Sequence, residues 1–172
     1  MINGLYNLED AQNIYYTFAN GLGNGRDLTV ANYSFFHGYQ NAYNSTAGVN
    51  YSTFIGRENA VGAADIDYSV FLGYQNNFIG NNSNIDYSFI SGYRNAYNAG
   101  DLAHTTIFGF ANAYTTTSNV NNSILMGREN AYFPSVSLDN TILLGYRQGY
   151  SVGSKGAASN RLAIGMIQND PL

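Results

Sequence analysis

One short pattern of polar, apolar and glycine positions returns along the chain. A Tyr, His or Asn is followed by Ser or Thr, then by three mostly apolar residues, then by Gly. Three residues after the Gly stands an Asn, and two further on an aromatic. The copies occupy residues 33–43, 51–61, 68–78, 87–97, 104–114, 122–132 and 140–150, with worn copies at 16–21 and 160–165. From Gly21 the glycines Gly38, Gly56, Gly73, Gly92, Gly109, Gly127, Gly145 and Gly165 follow at steps of 17, 18, 17, 19, 17, 18, 18 and 20 residues. A period near 18 with small slips is the signature of a solenoid, in which each repeat is one coil stacked on its neighbours.

The pattern predicts strands. In a strand, side chains alternate between two faces, so the Ser/Thr, the second apolar residue and the Gly share a face: Ser34/Phe36/Gly38, Ser69/Phe71/Gly73 and Thr141/Leu143/Gly145. The other face carries Thr53/Ile55, Val70/Leu72, Ile124/Met126 and Ile142/Leu144 and is also largely apolar. A strand apolar on both faces must be covered on both. A thin two-layer coil covers one, so a neighbouring subunit is the expected cover for the other. Ile55, Val70, Leu72, Ile124, Met126, Ile142 and Leu144 are therefore the predicted interface or core residues. Asn41, Asn59, Asn76, Asn95, Asn112 and Asn130 mark a corner, and a second short strand is expected after it, carrying Tyr43, Phe78, Tyr97, Tyr114, Tyr132 and Tyr150. A slip within a strand would turn its side chains to the wrong face. The slips are therefore assigned to loops at 44–50, 62–67, 80–86, 98–103 and 115–121. Equivalent residues on stacked coils fall about 4.8 Å apart, so repeated Asn and Tyr form amide and aromatic ladders.

Composition narrows the function classes. Charged residues make up 10% of the 172, aromatics 15%, and the net charge is −4, with 16 Tyr, 10 Phe, 19 Gly and neither Cys nor Trp. Seven Lys+Arg against eleven Asp+Glu is not the basic footprint of a nucleic-acid binder. No run approaches the roughly 20 apolar residues of a spanning helix, and the absence of Cys excludes disulfides and Cys metal sites. The first ten residues carry no basic and apolar leader pattern, so no signal peptide is visible. The expected organisation is an N-terminal cap or worn first coil at 1–30, a repeat array at 31–151, and a worn final coil and end at 152–172.

The block Ser/Thr-x-Φ-x-Gly-Tyr-x-Asn-Ala-Tyr resembles the head repeats of YadA-type trimeric autotransporter adhesins, and more closely their bulkier relatives in bacterial surface proteins and phage tail fibres. Residues 140–150, Asn-Thr-Ile-Leu-Leu-Gly-Tyr-Arg-Gln-Gly-Tyr, come nearest that pattern, and the segment from Ser159 to Gly165 is similar to the close of such arrays. The likeness covers roughly residues 30–172. Phe, Ile or Leu stand where the YadA head mostly has Ala, and the period is longer. The resemblance implies an all-β, left-handed parallel β-roll of about eight coils, built as an intertwined or side-by-side homotrimer. It also implies a non-enzymatic fibre or adhesin outside the cell, on a virion tail or a bacterial surface, meeting glycan or envelope receptors and other fibre segments.

Candidate chemistry is sparse. His37 and His104 occupy different repeat positions and read as structural. Asp65, Asp67 and Asp86 could serve a glycosidase or Ca²⁺, but no motif accompanies them, and turn residues are the expected role. The repeated Gly-Arg-Glu-Asn-Ala at 56–60 and 127–131 offers Arg57/Glu58 and Arg128/Glu129 for pairing with other coils or subunits; surface pairs add little stability, so specificity or solubility is their expected role. Tyr39, Tyr74, Tyr93 and Tyr146 follow the Gly and are the candidate ligand-binding stripe, against ladder packing alone. No cofactor is expected. The alternatives are a left-handed β-helix acyltransferase, whose coil is also 18 residues, and a self-assembling filament. Against the enzyme stand the irregular spacing and the bulk of Tyr at the corners of a narrow prism.

Overall fold

The computed structural model describes residues 1–5, 7, 16–25, 32–42, 49–61, 66–76, 85–97, 102–114, 120–132, 137–148 and 162–168. In chain order its strands are β1 (Ile2–Leu5), β2 (Phe18–Leu22), β3 (Phe35–Tyr39), β4 (Val49–Asn50), β5 (Thr53–Arg57), β6 (Ile66–Asp67), β7 (Val70–Tyr74) and β8 (Ile85–Asp86). They continue as β9 (Phe89–Tyr93), β10 (Leu102–Ala103), β11 (Thr106–Phe110), β12 (Val120–Asn121), β13 (Ile124–Arg128), β14 (Leu138–Asp139), β15 (Ile142–Gln148) and β16 (Leu162–Gln168). The long strands form a ten-stranded parallel sheet in the order β1-β2-β3-β5-β7-β9-β11-β13-β15-β16, and the two-residue strands a second sheet of six. The chain is an all-β parallel solenoid. About six turns carry a strand in both sheets, at a period near 18 residues.

The register is set by glycine. Gly4, Gly21, Gly38, Gly56, Gly73, Gly92, Gly109, Gly127, Gly145 and Gly165 pair in one continuous row. At Gly92, φ is +122° and an added Cβ would stand 2.0 Å from the Gly109 carbonyl oxygen. That neighbour is backbone and cannot swing aside, so the row admits no side chain from Gly4 to Gly145.

An asparagine sits three residues beyond each glycine of the row from Gly4 to Gly127, and Gln148 takes its place after Gly145. Asn112 is fully buried. Its Nδ2 lies 2.9 Å from its own coil's Phe108 carbonyl, 2.9 Å from the next coil's Gly127 carbonyl and 3.1 Å from Asn95 Oδ1. Its Oδ1 accepts the Asn130 backbone N–H at 3.0 Å. Asn24, Asn41, Asn59, Asn76, Asn95 and Asn130 are buried in the same row. A buried amide is costly unless bonded, and this geometry satisfies each from both neighbouring coils.

The core lies between the two sheets. Phe36, Phe54, Phe71, Ile90, Ile107, Leu125 and Leu143 point inward from the long strands, and Leu102, Val120 and Leu138 from the short ones. Phe36–Phe54 and Phe54–Phe71 stack at 5.2 and 5.0 Å. Ala42, Ala60, Ala96, Ala113 and Ala131 fill the narrow corner between them.

Three expectations are corrected. The second strand does not follow the Asn corner: Tyr97, Tyr114 and Tyr132 lie in the turn, stacked at 4.9 and 4.7 Å, while Tyr43, Phe78 and Tyr150 fall outside the described residues. The second sheet instead lies just before each block, five of its six strands inside the stretches assigned to loops. The second residue of every short strand stands six residues before its glycine, so the slips fall between the Asn corner and the short strand. The array also starts earlier than Gly21. Gly4 pairs with Gly21, and Asn7 Oδ1 accepts the Asn24 N–H at 3.1 Å.

Gly92→Ala is expected to cost more than about 3 kcal/mol, from backbone strain plus a clash without relief, and to be far more damaging than Ser91→Ala beside it. Urea unfolding of the two variants checks this.

Candidate functional site

The corners are held by residues in the left-handed backbone region. After each glycine, Gln40, Glu58, Gln75, Arg94, Ala111, Glu129 and Arg147 have φ of 49–58°, and the corner alanines have 50–56°. Their N–H groups alternate in direction: Glu58 donates back to the Tyr39 carbonyl, and Ala60 forward to that of Asn76, both at 2.8 Å. The chain therefore bends without orphaning a backbone donor. Before the glycine, Tyr33, Tyr51, Tyr68, Tyr87, His104, Asn122 and Asn140 share φ of 49–54°. Left-handed geometry costs a non-glycine residue about 1–2 kcal/mol, and Asn tolerates it better than Tyr. Stacking offsets that cost by about 0.5–1.5 kcal/mol per aromatic pair.

Two aromatic rows result. Tyr39, Arg57, Tyr74, Tyr93, Phe110, Arg128 and Tyr146 occupy one register position at the edge of the long sheet. The four tyrosines predicted as a stripe are thus brought together in one row, half-buried. Their rings are partly covered. The Arg57 guanidinium carbon lies 5.1 Å from the Tyr39 centroid and 5.4 Å from that of Tyr74, Tyr93 stacks on Phe110 at 5.1 Å, and Arg147 lies over Tyr146 at 5.0 Å. Sugars reaching this row meet ring edges and hydroxyls more than open ring faces.

The second row was missed. Tyr33, Tyr51, Tyr68 and Tyr87 stack at 4.8–4.9 Å, nearly parallel, with Tyr16 at one end and His104 at the other. The four central rings are about half exposed. Their recurrence five residues before each glycine was the available signal.

Charge is concentrated beside the first row. Glu58 receives Arg57 Nε at 3.0 Å, and Glu129 receives Arg128 Nε at 3.1 Å and Arg147 Nε at 2.6 Å. Glu58 also accepts Gln75 Nε2 at 2.9 Å. Partial burial pushes the Glu129 carboxyl upward, but the bonds from Arg147 and Arg128 outweigh it and hold the group below the usual carboxylate range. The hydrogen bond from Arg57 to Glu58 raises the Arg57 guanidinium further. Burial, then the neighbouring Tyr114, raises the Tyr97 phenol.

The outer face of the long sheet is the third feature. It carries the predicted Ile55, Val70, Leu72, Ile124, Met126, Ile142 and Leu144, together with Phe35, Phe89, Phe108, Leu162 and Ile164. On one chain Ile55, Ile124 and Met126 are 39, 37 and 43% exposed, and Val70, Leu72, Ile142 and Leu144 are intermediate.

The polar candidates do not converge. His37 Nδ1 lies 3.2 Å from Asn20 Nδ2 on the outer face, whereas His104 stacks on Tyr87 at a corner. Asp67 and Asp86 are paired strand residues of β6 and β8 and not loop residues; Asp67 accepts Asn50 Nδ2 at 2.7 Å. Asp65 lies outside the described residues. Among the described residues no three His, Cys, Asp or Glu gather as metal ligands, and no helix is long and apolar enough to cross a membrane. No protein-family model, curated protein or solved structure matches this chain.

A carboxyl held low in the fold adds stability that is fully present above its unfolded pKa of about 4.3 and is lost as pH falls through the folded value. Glu129→Gln is therefore expected to flatten the fall in thermal stability between about pH 5 and pH 3, measured as melting temperature against pH. An unchanged slope would show that Glu129 does not carry it.

Proposed function

We propose that this chain is the β-roll segment of a homotrimeric extracellular fibre, a phage tail fibre or bacterial surface adhesin, which attaches to cell-surface glycans through repeated weak contacts. The reading comprises about eight left-handed coils per chain, with no catalytic role and no cofactor. The observation that carries it is the outer face of the long sheet. Its rows of Ile, Leu, Val, Met and Phe lie opposite an already filled core, and on one chain they are half-buried to exposed. Contiguous apolar surface of this kind marks an interaction site, and identical chains supply an identical matching face.

The trimer places three such faces around one axis and leaves both aromatic rows outward. Stiff repeats then present the same contact several times, and linked weak contacts raise avidity without new chemistry. The low charge of the chain suits contact with sugars through Tyr hydroxyls and ring edges.

Native mass measurement of the whole chain is expected to give three copies per particle. Met126→Asp, on the outer face and exposed in one chain, is expected to remove that species. A monomeric wild type overturns the reading, and an open-ended series of masses points to a filament. Binding to a glycan array that is equal for every sugar would remove the adhesive half.

A further inference from the structure

We propose that Arg94, beside the middle of the Tyr–Arg row, anchors a carboxylate-bearing saccharide. This rests on the adhesive reading above and names the class of sugar. Of the seven Lys and Arg residues, four (Arg57, Arg94, Arg128 and Arg147) stand on this edge, and Arg26, Lys155 and Arg161 fall outside the described residues. Three of the four are tied to a carboxylate: Arg57 to Glu58, and Arg128 and Arg147 to Glu129. Arg94 is not. Its Nε donates to Gln75 Oε1 at 2.8 Å, and the next residue of its row, Ala111, offers no side-chain acceptor. Among the described residues Arg94 has no carboxylate partner, and the residue is only half-buried.

The surroundings orient this cation. Its guanidinium carbon lies 5.1 Å from the Tyr93 ring centroid and 5.6 Å from that of Tyr97, and Tyr74 lies against Tyr93 at 5.3 Å. The bond to Gln75 fixes the fork further. A held guanidinium accepts a planar carboxylate through two parallel N–H···O bonds. The Tyr74 and Tyr93 edges beside it offer hydroxyls to sugar hydroxyls and apolar surface to pyranose C–H groups. An inorganic anion could use the fork but would gain nothing from the rings, which favours a carboxylated sugar over a bare phosphate.

The test titrates the intact assembly with sialyllactose, a glucuronate disaccharide, lactose and inorganic phosphate, followed by calorimetry. At least one carboxylated sugar is expected to bind, with lactose and phosphate silent. Arg94→Gln is expected to weaken that binding at least about tenfold, and Arg94→Lys, which keeps charge but loses the fork, to weaken it severalfold. Circular dichroism and the native mass of each variant report whether the assembly survives. Carboxylated sugars that fail to bind, bind equally to Arg94→Gln, or bind no better than phosphate overturn the assignment. Neutral-glycan binding that persists in Arg94→Gln overturns it while leaving the adhesive reading standing; an intact trimer that binds no glycan overturns both.

Discussion

Everything in this molecule depends on how closely one coil can lie on the next. Parallel strands hydrogen-bond at about 4.8 Å, and the stacked rings here repeat at 4.7–5.3 Å. At the glycine row even that separation leaves no room for a methyl group. Once the glycines fix the approach, every other position must tolerate a copy of itself directly above and below. Asn does so by donating in one direction and accepting in the other, Phe and Tyr by stacking, and Ser and Thr by passing a hydroxyl between backbone groups. Ser69 Oγ, for example, donates to its own coil's Asp67 carbonyl at 2.9 Å and accepts the Ser88 N–H at 3.1 Å. Where Arg and Glu enter the corners, Glu129 takes both Arg128 of its own coil and Arg147 of the next.

The corners show how the cost of tight bends is distributed. Left-handed residues other than glycine are rare in most proteins, yet here they form three rows. Each row turns the chain while sending N–H groups to adjacent coils. The strain of each is therefore offset locally by hydrogen bonds between coils, with a net contribution of about 1 kcal/mol each, and by packing along the row. A single coil would have none of these compensations, so the strain and the stacking belong to the array and not to the repeat.

The stacking, the glycine register and the amide ladder were legible in the sequence because they follow from residues that recur at fixed distance: Gly38 to Gly56, and Asn41 to Asn59. The first coil was not, because Gly4 and Asn7 retain only the Gly-to-Asn spacing of the block, with too few residues before them to show the rest. The second sheet was hidden because a two-residue strand such as Ile85–Asp86 has no alternation to detect, and its neighbours carry turn composition. The Tyr33–Tyr87 row was visible as a recurrence but not as a surface. Alternation along a strand cannot reveal that these tyrosines sit at a left-handed bend, a conformation their intrinsic preference opposes and neighbouring coils stabilise. Arg94 stood in the sequence as one of several arginines, and its difference from Arg57 and Arg128 emerged only with the partners of each.

The spacing of six residues from short strand to glycine is constant in every complete turn, while the arc between the Asn corner and the short strand varies in length. Gains and losses of residues are thereby confined to one segment of the repeat. That segment is a natural place for engineered or evolutionary grafts: new sequence can enter one repeat after another while the glycine, asparagine and short-strand registers keep their alignment.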